Sequence, residues 1–126
     1  MTWHEERAHG QVVLAVTGDL DIASAAAFRD VGLRALGIDP VTLVLDLTEV
    51  PFVDSSGIAV LVLLRRKARS RRSELRLVTH RRIDSVLRVT GLTQAFDIYP
   101  TREAAVEGGD DAGARENTSR SEAVRG

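Results

Sequence analysis

The chain has 126 residues, the usual size of one domain with one core, and 44% of them are hydrophobic, enough for a globular fold. There is no cysteine, which excludes disulfides, thiolate zinc sites and thiol catalysis. The formal net charge of −1 gives no global attraction to nucleic acid or to an anionic membrane.

The opening segment "MTWHEERAHG" lacks the apolar core of a signal peptide, and the longest apolar run, Ile58 to Leu64, is too short to span a bilayer. A cytoplasmic protein with no membrane partner is expected. "WHEERA" reads as a weak edge strand, turned at His9 and Gly10 onto "QVVLAVTG", a buried strand ended by Gly18. In "DLDIASAAAFRDVGLRALG", Ala25, Phe28, Val31, Gly32 and Ala35 follow helical spacing, with Ser24 as N-cap and Gly37 as stop. "VTLVLDLT" reads as a second buried strand, and a helix is expected from about Ser56 to about Arg71. "ELRLVT" is a further core strand. "RRIDSVLRVTGL" is a helix with Ile83, Val86, Leu87 and Leu92 facing inward. "AFDIYP" is a last short strand, and "TREAAVEG" a short helix capped by Thr101.

Strands alternating with helices predict an α/β fold built on a small, mixed but mostly parallel sheet, with an edge strand from the N-terminus. The aromatic residues are few (Trp3, Phe28, Phe52, Phe96 and Tyr99), so the core is expected to be aliphatic. The folded domain is expected to cover residues 1–107. From Gly108 to Gly126 the only large apolar residue is Val124, and that tail is expected to be disordered.

The most informative stretch is "PFVDSSGIAVLVLL", Pro51 to Leu64. Ser55 and Ser56 fall where a loop enters a helix, so a serine oxygen can cap an unpaired N–H of the first turn. Asp54 places a favourable charge at the positive helix end, and Gly57 lets another segment come close. A second reading is phosphorylation. A phosphoserine brings roughly −1.5 to −2 charge and three acceptor oxygens, and Asp54 next door opposes that charge. These physical arguments leave both readings open.

"TGDLDIASAAAF", "LVLDLTEVPFVDSSGIAVL" and "VTGLTQAFDIYPTREAAV", in this order and spacing, closely resemble the STAS domain of bacterial anti-sigma factor antagonists over residues 10–107. The resemblance implies a non-enzymatic partner switch. Such an antagonist binds an anti-sigma serine kinase and frees the sigma factor. It is released when the kinase phosphorylates the serine after the aspartate, and a metal-dependent serine phosphatase resets it. The implied acceptor is Ser55. Asp54, Ser56 and Gly57 shape its turn, Asp21 is the acidic residue near it, and Ser24 is the hydroxyl that starts the first helix. No cofactor, metal site or direct nucleic-acid contact is implied. The chain departs from the family in its alanine-rich first helix and in its tail. An alternative role is a STAS scaffold or a subunit of a larger signalling or transport assembly.

Other constellations in the sequence compete with this reading. Asp19, Asp21, Asp46 and Asp54 suggest a receiver accepting phosphate on Asp46, but the sole lysine, Lys67, is not at a strand end where a receiver needs it. Asp46 is better read as bracing the loop before Pro51. "DSSG" is not a hydrolase elbow. His4, His9 and His80 show no metal or base spacing and are expected in surface or strand-end roles. "RRKARSRR", Arg65 to Arg72, complements the dipole at a helix C-terminus, and no aromatic residues are interleaved to stack on bases.

Overall fold

The computed structural model describes residues 1–108, so the expected tail lies outside the described residues apart from Gly108. The elements are β1 (Thr2–Ala8), β2 (Gln11–Thr17), α1 (Ala25–Leu36), β3 (Thr42–Glu49), α2 (Ser55–Ser70), β4 (Glu74–Val78), α3 (Arg81–Val89), β5 (Asp97–Tyr99) and α4 (Arg102–Glu107), with a short 3₁₀ turn at Thr93–Ala95. They form one five-stranded sheet in the order β1-β2-β3-β4-β5. β1 is antiparallel to β2 and every other pairing is parallel. This is the expected mixed, mostly parallel α/β architecture.

The β1–β2 hairpin closes on Ala8 and Gln11. Its two turn residues, His9 and Gly10, have φ of 53° and 76°. Positive φ at both positions is the I′ geometry that matches strand twist, and glycine takes it without a Cβ clash. β1 is exposed along its whole length, as an edge strand with "HEER" in its middle should be.

Residue alternation sorts the layers. Leu43, Leu45 and Leu47 of β3 enter the main core with Leu14 of β2, Phe28 of α1, Leu61 and Leu64 of α2, and Ile83 and Leu87 of α3. Val44 points the other way, into a smaller cluster with Val78, Tyr99 and Ala105 of α4. Thus α1, α2 and α3 cover one face and α4 the other. Each fully buried leucine or phenylalanine contributes about 1.5–3 kcal/mol of burial, and the fully buried set is dominated by leucine.

Helix starts differ from expectation in informative ways. Thr101 caps α4 as expected, accepting the Ala104 N–H at 3.0 Å. Helix α2 begins at Ser55, one residue earlier than expected, and its N-cap is Asp54. Ser24 stands at the N-cap of α1, but its side chain makes no capping bond to the helix. His80, expected only to end a strand, is the N-cap of α3.

Candidate functional site

The loops leaving β2 and β3 at the C-terminal ends of the parallel strands are sewn together. The Leu20 N–H donates to the Phe52 carbonyl at 2.9 Å, and the Asp54 N–H donates to the Leu20 carbonyl at 3.1 Å. Leu20 and Val53 thereby form an isolated parallel bridge beyond the strands proper, and both side chains are buried. Gly57 fits beneath this junction. A Cβ there would lie 2.6 Å from Val53 Cγ2 and 2.7 Å from the Leu20 oxygen. The close approach expected of Gly57 is therefore made by the loop that carries Asp21.

The turn at Ser55 is organised by Asp54, not by a serine. Asp54 has an extended backbone, and its Oδ1 accepts the N–H groups of Ser56 at 2.8 Å and Gly57 at 3.3 Å. The Ile58 N–H then donates to the Asp54 carbonyl at 3.0 Å, starting the helical ladder. This corrects the expectation that a serine oxygen caps α2. The aspartate takes the capping role because it occupies the last extended position. Ser55 becomes the first helical residue and is exposed, and Ser56 is half-buried. Among the described residues neither serine hydroxyl has a hydrogen-bond partner.

Across the junction, Asp21 and Ser24 form a reciprocal pair. Asp21 Oδ1 accepts from the Ala23 N–H at 3.1 Å and the Ser24 N–H at 3.2 Å. The Asp21 N–H donates back to Ser24 Oγ at 3.0 Å, and that hydroxyl donates to the Asp19 carbonyl at 2.8 Å. This is the logic of a capping box with Ser24 in the place of the usual Glu. Ser24 does serve the start of the first helix, but by bracing the approach to it. Asp21 is half-exposed, so its carboxylate both holds the loop and faces outward.

The surface around the serine combines charge and grease. Asp19, Asp21 and Asp54 make no ion pair among the described residues. Ile22 and Phe52, one on each of the two loops, are 80% and 51% exposed. The basic residues from Arg65 to Arg72 lie at the other end of α2. There Arg71 donates to the Gly37 carbonyl at 2.7 Å, which ties that end to the close of α1.

Asp46 is buried on the α4 side of the sheet. It accepts the Thr48 N–H at 3.0 Å, the Thr48 hydroxyl at 2.7 Å, and Arg102 Nε and Nη2 at 3.0 and 2.8 Å. Burial alone would push its carboxyl up, but the Thr48 bonds and the Arg102 guanidinium outweigh it and hold the carboxyl below the ordinary aspartate range. Its oxygens are occupied in bracing, unlike those of an open phosphate acceptor. His80 was missed by sequence reasoning. Its ring reaches Val50, which is distant in sequence, and no local spacing signals that contact.

Comparisons with known proteins agree with this architecture. The sequence model of the STAS domain matches residues 3–105. A solved anti-sigma factor antagonist from Mycobacterium paratuberculosis is similar at 27% identity and a TM-score of 0.76, over 84% of this chain and 91% of that one. The phosphorylated form of the Bacillus cell fate determinant SpoIIAA is similar at 21% identity and a TM-score of 0.61, over 84% of this chain and 97% of that one. The anion transporter Solute Carrier 26 family member A9 from mouse is similar at 24% identity and a TM-score of 0.71, over 81% of this chain but 18% of that one. The latter two likenesses concern the fold alone. Curated protein sequences gave no match. No helix among the described residues is long and apolar enough to cross a membrane.

Proposed function

The chain belongs to the STAS domain family, and from that premise we propose that it is an anti-sigma factor antagonist switched by phosphorylation of Ser55. In this reading it binds an anti-sigma serine kinase and frees the sigma factor. Phosphorylation ends the complex, and a serine phosphatase restores the hydroxyl. The observation that carries the reading is the Ser55 hydroxyl itself: exposed, on the first residue of α2, and without a hydrogen-bond partner among the described residues, Asp54 being the cap of the helix.

The transfer asks little of this chain beyond presentation. Ser55 Oγ forms a bond to the γ-phosphorus of ATP as the bond to the departing ADP breaks, and the serine proton passes to a base of the kinase. Leu20, Val53 and Gly57 make the turn rigid, so the hydroxyl is offered from a fixed base. Ile22 and Phe52 supply exposed apolar surface on the two loops that meet at this junction, and Asp21 and Asp54 supply charge. Ser56 is the neighbouring hydroxyl, half-buried and so less accessible.

Phosphorylation then changes the site by charge more than by shape. The new group carries roughly −1.5 to −2 charge. It lands next to Asp54, on a turn joined to the loop that carries Asp19 and Asp21, and none of these carboxylates has an ion-pair partner among the described residues. The Ser56 and Gly57 N–H groups at the helix start already serve Asp54. The charge is therefore turned toward the partner. A tenfold loss of affinity needs only about 1.4 kcal/mol, less than the desolvation of an unpaired dianion at an interface.

The direct test is incubation with the partner kinase and Mg-ATP, followed by intact-mass measurement and peptide mapping. One phosphate on Ser55 is expected. Phosphate mainly on Ser56, or acid-labile phosphate on Asp46, would refute the assignment.

A further inference from the structure

The loop that carries Ser55 is held on two sides. Leu20 holds one. On the other, His80 Nε2 lies 2.6 Å from the Val50 carbonyl oxygen, while His80 Nδ1 accepts the Arg82 N–H at 3.2 Å. These partners fix the tautomer. A carbonyl only accepts, so Nε2 carries the hydrogen; a backbone N–H only donates, so Nδ1 offers the lone pair. One ring thus caps the first turn of α3 and also ties that turn to the loop before Pro51.

Val50 is a sensitive place to hold. It is buried, and its own N–H donates to the Leu47 carbonyl at 3.0 Å. Proline follows it, so the next residue has no N–H to anchor the chain. Among the described residues, His80 is the only side chain that hydrogen-bonds residues 50–53. The Val50 side chain is packed in the main core, but beside the latch the surface opens into a depression of about 330 Å³ lined by Thr48, Glu49, Pro51, His80 and Arg82, so the backbone on that side is not covered by packing.

We propose that His80 is a positioning residue for the Ser55 turn: its Nε2–H bond to Val50 sets where the serine stands for the phosphate-transferring partner. The partner's identity rests on the reading of Ser55 as acceptor; the latch itself is a property of this chain.

Two substitutions separate the ring's two bonds. In His80→Asn the side chain is a strong N-cap but too short to reach Val50. In His80→Gln an amide N–H extends to about the position of Nε2. Amide exchange by NMR on the full chain reads the latch. His80→Asn is expected to melt only a few degrees below the unmodified protein, because it loses the one bond to Val50 and retains the cap. Its Asp54, Ser56 and Gly57 amides are expected to exchange roughly three- to tenfold faster, the effect of losing one net hydrogen bond on local opening. His80→Gln should return those rates toward the starting values. Phosphorylation by the anti-sigma kinase with Mg-ATP should then show a lower kcat for His80→Asn, at similar KM, with recovery in His80→Gln.

Unchanged loop exchange in His80→Asn overturns the latch. So does an equal loss of stability and protection throughout the molecule in both variants, which would make the ring a packing element. Faster loop exchange with unaltered kcat overturns the positioning role. If the unmodified chain takes no phosphate, the reading of Ser55 fails, and the exchange data still decide the latch.

Discussion

Leu20 and Val53 pair as a single parallel bridge outside the strands, with the Leu20 backbone bonded to Phe52 on one side and Asp54 on the other. This one contact brings the Asp21 loop against the Ser55 turn. It joins two segments that the sequence shows only as separate strand ends.

The bridge depends on a missing side chain. Gly57→Ala puts a Cβ within 3 Å of both Val53 and the Leu20 oxygen, and backbone cannot move aside as a flexible side chain does. Overpacking of this kind typically costs about 1–3 kcal/mol. Thermal denaturation should show a fall of several degrees, and amides of both loops should shift together in NMR spectra. A melting temperature equal to that of the unmodified protein would show that the loops separate freely.

Asp21 has two separable duties. Asp21→Ala removes the acceptor for the Ala23 and Ser24 N–H groups, and a cap loss of this kind costs about 0.5–2 kcal/mol. Asp21→Asn keeps an acceptor oxygen and should melt close to the unmodified protein. If the partner reads the charge, Asp21→Asn will bind the kinase more weakly despite intact stability. Full binding by Asp21→Asn would leave Asp21 a structural residue.

Asp46 predicts a pH dependence with a definite sign. Its carboxyl is held low in the folded state, so its ionised form stabilises the fold. That contribution is complete above the ordinary aspartate range and is lost as pH falls through the lower, folded-state value. Asp46→Asn should therefore be less stable at pH 7, by about 1.5–3 kcal/mol for bonds to a charged group. The gap should narrow in strong acid, where the native carboxyl is itself protonated. Urea melts from pH 7 to pH 2 on both proteins would show it, and a constant gap would contradict the role assigned to the Arg102 pair.

Much of the fold could be read from the sequence because its signals are local. β-branched runs end at glycines, helical spacing follows, and "TREA" announces its own cap. What could not be read depends on register or on distant partners. Asp54, Ser55 and Ser56 are all able to cap a helix, and only the backbone decides that the aspartate holds the last extended position. "VTLVLDLT" is apolar almost throughout, so it does not show that Leu45 and Asp46 face different helices. His80 and Val50 are 30 residues apart, and their contact exists only once β3 and β4 lie side by side. Asp21 and Ser24 do have a local signature, the reciprocal pair at i and i+3, but with serine in the place of Glu it reads as an ordinary turn.

The central claim is that charge at Ser55 controls partner binding, and the variants that test it do not disturb the fold. Ser55 makes no capping bond, so Ser55→Ala should change stability by no more than about 0.5 kcal/mol, as surface substitutions usually do. Ser55→Asp should also fold, since a negative charge in the first turn of a helix is favourable. The decisive measurement is calorimetric titration of both variants against the partner kinase, with circular dichroism to confirm folding. Ser55→Ala is expected to bind like the unmodified protein, and Ser55→Asp at least about tenfold more weakly, a difference of about 1.4 kcal/mol. Equal affinity of the two folded variants would contradict the switch.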